Sequence, residues 1–171
     1  EAERVGVKPL DLFLGYQPHP DVVEEPGDLQ LSGLEPALDR VTNEGIGSHR
    51  WRWTVRLLNM LADVHFAAGR YDEAAHYNEL GIEKASATSS RKYLANALAL
   101  RGKLKARHGD TEGAGADFAS AWSLAEKLSS PTILYPIAHD FARWSDANGR
   151  EESARELCRR AQTATESIAS S

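Results

Sequence analysis

Cysteine is almost missing from this chain. Cys158 is the only one in 171 residues, which excludes an internal disulfide framework and makes the reducing cytoplasm the expected location. Long apolar runs are missing too. No stretch approaches the roughly 18 residues that a membrane-spanning helix needs, and no apolar leader with a basic flank opens the chain. Nor is there an excess of positive charge: the net charge is −5 with both signs interspersed. The field that draws a protein onto phosphate backbones is absent, so nucleic acid and membrane are not expected partners.

Groupings that carry out chemistry are equally scarce. The six histidines, His19, His49, His65, His76, His108 and His139, nowhere stand at H-x-x-x-H or H-E-x-x-H spacing, so no metal site is expected. His139 and Asp140 are adjacent, but helix neighbours project about 100° apart, and a base–orienter pair is not expected there. Gly113-Ala114-Gly115 has neither the preceding strand nor the following Gly-Lys-Ser/Thr of a phosphate loop; small residues that let helices approach closely are the simpler reading. Cys158 reads as a half-buried structural thiol. No catalytic residue and no cofactor is expected, and the chain reads as non-enzymatic.

What the chain does have is a period. Glycine recurs at Gly69, Gly109 and Gly149, a charged residue follows at Arg70, Asp110 and Arg150, and alanine stands five places on at Ala74, Ala114 and Ala154. The interval is 40 residues. The same step aligns bulky Trp53, Tyr93 and Ile133, small Ala62, Gly102 and Ala142, and small Gly81, Ala121 and Ala161. Leu58, Leu98 and Ala138 form an apolar column. Periods of 20 to 50 residues mark units that bury their apolar faces by stacking on neighbours.

The pattern Ala62…Gly69-Arg70-Tyr71-Asp72-Glu73-Ala74…Gly81 resembles the tetratricopeptide repeat. The match covers about residues 51–168 and is best in the first unit; Thr111 and Glu151 replace the turn tyrosine in the others. That family's usual spacing is nearer 34. Arrays with a longer period resemble the C-terminal arms of bacterial multidomain signalling proteins such as STAND-type ATPases. The resemblance implies an all-α fold, a right-handed α-solenoid of antiparallel helix pairs, with about seven helices.

Taken in order, residues 1–27 hold Pro9, Pro18, Pro20 and Pro26 and cannot form a long helix. They read either as an irregular leader or as a cover for the first helix of the stack through the apolar stretch from Pro9 to Tyr16. Residues 28–47 read as a degenerate half repeat, its single helix starting near Gly33–Glu35 so that Pro36 falls in the first turn. Repeats follow at 48–88, 89–128 and 129–171. The helices are expected at about 49–68, 71–86, 91–108, 111–128, 131–148 and 151–168. Gly69 takes a left-handed position after the first. Ser90 and Ser130 are candidate N-caps, with Pro131 at a first helical position. Helix 151–168 carries Glu151, Glu152, Arg155, Glu156, Arg159 and Arg160 outward, as a closing helix should. The chain begins at Glu1 rather than Met, and a larger parent protein is expected.

In tetratricopeptide-like stacks the first helices of the pairs line a concave side. That resemblance puts Arg56, Asn59, Asp63 and Phe66 of the first unit in a groove, with Asn96, Lys103 and Arg107 of the second and His139, Arg143 and Asp146 of the third. The set has a basic excess, which points to an acidic peptide or protein as partner, and a solvated face of mixed charge is the equal alternative. Trp53 is expected in the inter-repeat core and Trp51 at least partly exposed, as a contact residue. Three readings therefore compete with any enzymatic one: a peptide-binding groove, homodimerisation through Trp51 and the leader, or a small-ligand sensor arm.

Overall fold

The structure, a computed structural model, describes residues 28–43 and 50–169. The expectations for residues 1–27, and for residues 44–47 at the end of the half repeat, lie outside that range. Seven helices, and among the described residues no strand, follow one another: α1 (Asp28–Asn43), α2 (Arg50–Ala67), α3 (Tyr71–Ala87), α4 (Arg91–Arg107), α5 (Thr111–Leu128), α6 (Pro131–Ala147) and α7 (Glu151–Ala169). The last six match the bounds given by the 40-residue period to within one residue. Each helix packs on the next, and α2, α4 and α6 also touch in succession, as in a helical solenoid.

The turns explain the sharp boundaries. Gly69, Gly109 and Gly149 take φ of +74°, +81° and +70°. In each case the following N–H reaches back to the carbonyl five residues earlier: Arg70 to His65 at 2.9 Å, Asp110 to Lys105 at 3.0 Å, and Arg150 to Ser145 at 2.9 Å. This closure satisfies orphan helix carbonyls, and only glycine adopts it without strain. The turns between pairs use serine instead: Ser89 and Ser129 stand at φ of +54° and +48°. Asp110 caps α5 by accepting from the Gly113 N–H at 2.8 Å. Ser90 and Ser130 sit at the N-cap positions as expected, but neither hydroxyl accepts from a backbone N–H of its helix. They lie beside the Thr88 and Thr132 hydroxyls instead, at 2.8 and 3.1 Å.

One helix start differs from expectation. α1 begins at Asp28, and Pro36 lies well inside it. Pro36 is exposed, and the neighbouring Glu35 accepts a hydrogen bond from the Tyr77 hydroxyl of α3 at 3.0 Å, which ties this part of α1 to the stack.

The small-residue columns are the hinges of packing. Ala62, Ala142, Ala121, Ala161, Gly81 and Gly102 are all buried. A Cβ on Gly102 would stand 3.1 Å from the Phe118 ring, a tight fit, and one on Gly115 only 2.7 Å from Trp144, where the ring would have to shift. Gly113 has a different reason: its missing Cβ leaves room for the capping carboxylate of Asp110. The largest core gathers Trp122, Ile133, Leu134, Ile137 and Leu157 where α4 to α7 meet.

The bulky column breaks at its first member. Ile133 is 3% exposed, but Trp53 is 53% exposed and not in the core as expected. Its register is right and its neighbour is missing: this column packs against the first helix of the preceding repeat, and among the described residues no such helix precedes α2. At the far end α7 buries Ala154, Leu157 and Ala161 and turns Glu151, Arg155, Glu156 and Arg159 to solvent. Cys158 is half-buried, and burial pushes its thiol pKa up.

A candidate peptide groove between α2, α4 and α6

The first helices of the pairs lie side by side, and their contacts recur at similar steps of 34 to 37 residues. Lys103 stands 5.2 Å over the Phe66 ring, and its Nζ lies 3.1 Å from Asp140 Oδ2. Both partners are 37 residues from Lys103. Asn59 Nδ2 donates to the Tyr93 carbonyl at 3.0 Å across 34 residues. The helices α2, α4 and α6 are thereby laced together along one face.

Between them opens a cleft of about 330 Å³. Its wall is aromatic: Phe66, Phe118 and Trp144 line it, Phe118 packing 5.7 Å from Trp144 and stacked at 5.6 Å on Phe141. Its rim is cationic, formed by Lys103, Arg107 and Arg143, with Asp140 the one carboxylate. Lys103 is committed to that carboxylate. Arg107 lies 4.3 Å over the Tyr71 ring and is exposed, and Arg143 is exposed; among the described residues neither forms an ion pair.

The charges are tuned by their surroundings. Burial would raise the Asp140 carboxyl, but the His139 hydrogen bond and the Lys103 charge outweigh it and hold it below the ordinary aspartate range. Asp63, although more than a third of its surface meets water, is pushed up by burial; Lys103 opposes this and Asp140 adds to it. The cleft therefore balances its charge internally at Lys103 and leaves it unbalanced at Arg107 and Arg143.

Of the ten expected groove residues, four converge on this cleft: Phe66, Lys103, Arg107 and Arg143. Asn59 does not face it; it is 8% exposed and tied to the Tyr93 carbonyl, beside Gly81. Arg56 is exposed and lies 5.7 Å over the Trp53 ring. Asn96 is half-buried in α4 away from the cleft lining, and Asp146 is exposed at the end of α6. His139 is half-buried and, against expectation, its Nδ1 does approach Asp140 Oδ1, at 3.3 Å. Flexible side chains bend toward each other across the 100° that separates their Cβ directions. Trp51, 38% exposed, borders a smaller cavity of about 190 Å³ with Val55 and Lys84.

Sequence reasoning missed Phe118, Trp144 and Asp140. The 40-residue step aligns equivalent positions, whereas facing positions are 34 to 37 apart. Stepping 37 from Phe66 through Lys103 reaches Asp140. A second unforeseen cluster lies between α4 and α5: Asp117, buried, takes Arg101 in a two-pronged bond of 2.8 and 2.9 Å and Lys105 at 2.8 Å. Burial alone would raise Asp117, but the hydrogen bonds from Arg101 and Lys105 bring it below its usual range.

Chemically the cleft offers an apolar wall beside unpaired guanidinium groups. That suits a side chain or chain end that pairs a carboxylate with apolar surface. Among the described residues no group of three His, Cys, Asp or Glu side chains could hold a metal, and no helix is long and apolar enough to cross a membrane. Compared with family models, curated proteins and solved structures, the chain matches none.

Proposed function

We propose that this chain is a non-catalytic interaction module that docks an acidic peptide or helix in the groove formed by α2, α4 and α6. One observation carries the reading: Arg107 and Arg143 flank an aromatic wall of Phe118 and Trp144 and have no carboxylate partner among the described residues. Exposed arginines beside aromatic surface are the residue types that anchor protein interfaces. The 40-residue period and its resemblance to the arms of bacterial signalling proteins support a role as a cytoplasmic scaffold or sensor arm of a larger regulatory protein.

The test is selection from a randomised peptide library, followed by fluorescence anisotropy with the selected peptides. Acidic sequences with an apolar residue near the carboxylates are expected to be enriched. Arg107→Glu/Arg143→Glu is expected to weaken them by about 30-fold, the equivalent of about 2 kcal/mol. Arg155→Glu, on the outer face of α7, is expected to leave binding unchanged. Equal affinity for both variants would sink the reading.

A further inference from the structure

The acidic charge of the chain is unevenly spread. Residues 45–62 and 84–109 contain no aspartate or glutamate, so α2 as far as Ala62 and the whole of α4 carry positive charge only. The fold brings these two stretches together. Trp51 and Arg52 of α2 meet Arg91, Lys92 and Tyr93 of α4 around a cavity of about 300 Å³ that Leu128 helps to close. No carboxylate lines it, and Arg52, Arg91 and Lys92 are exposed and form no ion pair among the described residues. Arg52 lies 5.4 Å over the Trp51 ring and Lys92 lies 6.0 Å over that of Tyr93. Trp51 is still 38% exposed. We propose that this corner binds a nucleotide, free or as one unit of a single strand, with the base against Trp51 and the phosphate held by Arg52, Arg91 and Lys92. The site is separate from the groove: Arg91 and Lys103 stand about 18 Å apart along α4, and the proposal is independent of the groove reading.

The ligand class follows from what the corner combines. Unpaired guanidinium and ammonium groups attract phosphate, and a guanidinium can give it two parallel N–H donors. An exposed indole offers a flat face on which any base stacks, and aromatic rings interleaved with cations are how proteins hold the units of a single strand. Along the sequence Arg52 belongs only to the short run Arg50-Trp51-Arg52-Trp53; the fold widens that run with Arg91, Lys92 and Tyr93. Size agrees. A cavity of this volume lies at the small end of ligand pockets, with room for a base and its sugar phosphate and not for a helix. Other anions fit less well. A bilayer surface calls for apolar side chains that stand out from the protein, whereas these rings line a recess. A simple carboxylate would engage the cations and leave Trp51 unused. The net charge of −5 does not oppose the proposal, because at physiological ionic strength a surface charge is screened beyond about 8 Å.

The experiment uses the full chain. Isothermal titration calorimetry compares adenosine monophosphate with adenosine, which lacks the phosphate, and with inorganic phosphate, which lacks the base; the anisotropy of a labelled strand of ten adenylates forms the second arm. The mononucleotide or the strand is expected to bind at least about tenfold more tightly than adenosine or phosphate. Arg91→Gln/Lys92→Gln and, separately, Trp51→Leu are each expected to weaken that binding at least about tenfold. Arg155→Gln/Arg159→Gln, which removes the same charge from the outer face of α7, is expected to change it less than about twofold. Binding of the mononucleotide supports a free nucleotide as the ligand, and binding of the strand alone supports a single-stranded nucleic acid. Binding of neither would overturn the proposal. So would adenosine or phosphate held as tightly as the nucleotide, an equal loss in the α7 variant, or capture of anionic lipid vesicles by a chain that ignores both nucleotide probes. If Trp51→Leu lowers helicity, the Arg91/Lys92 variant, whose side chains are exposed, decides alone.

Discussion

The two ends of the stack solve the same problem differently. The last helix, α7, is sealed by its own composition: Ala154, Leu157 and Ala161 face inward, while Arg155 with Glu151 and Arg159 with Glu156 pair on the outside at 2.9 and 2.7 Å. The first helix of the first full pair, α2, keeps the apolar surface of an interior helix, with Trp51, Trp53 and Met60 exposed. A solenoid is held by nearest-neighbour interfaces, so its terminal units lack half of the burial that interior ones have. Charge on an outer face suits a helix that meets water. Tryptophan and methionine on an outer face mark an end that expects company.

Three substitutions sharpen this contrast, in order of falling effect. Leu157→Ala removes the largest inward side chain of α7 among those described, and is expected to cost about 3 kcal/mol; hydrogen exchange should accelerate in α7 and α6 first and leave α3 protected. Uniform acceleration through the chain would show that the stack melts as one unit and that its ends are not independent. Trp53→Ser is expected to cost about 1 kcal/mol in urea unfolding if the α2 face is covered. A loss under about 0.3 kcal/mol would equate Trp53 with an ordinary exposed residue and erase the difference between the ends. Arg155→Ala, which breaks only an exposed pair one helical turn apart, is expected to cost no more than about 0.5 kcal/mol. A larger loss would mean that the charged face of α7 contributes to stability as well as to solubility.

The fold was legible because its punctuation is chemical. Gly69, Gly109 and Gly149 mark turns that need left-handed backbone, and the interval between them sets six helices in place. The groove was only partly legible, for a reason the residues make plain. Register by 40 finds equivalent positions, which share a face, but a binding cleft is made by positions that meet. Asn59 shares a face with Arg56 and Asp63 in outline, yet its amide is drawn inward by the Tyr93 carbonyl. Phe118 belongs to a second helix of a pair and Trp144 sits late in α6, so neither falls in a column that singles it out. Trp53 was misplaced by the same logic, since a column records which way a side chain points and not whether anything waits there. Pro36 was misplaced because proline's preference for a first turn is a tendency that tertiary contacts override, and Glu35 beside it is tied to Tyr77 of α3.

The lone thiol of Cys158 turns the sealed end into something that can be timed. It is half-buried, and burial disfavours the thiolate, the form that reacts. Alkylation at neutral pH is therefore expected to be slower than for a free thiol, and any local opening of α7 is expected to speed it. With no second cysteine to confuse the signal, the labelling rate reports how firmly α7 is held against the core that Cys158 packs on.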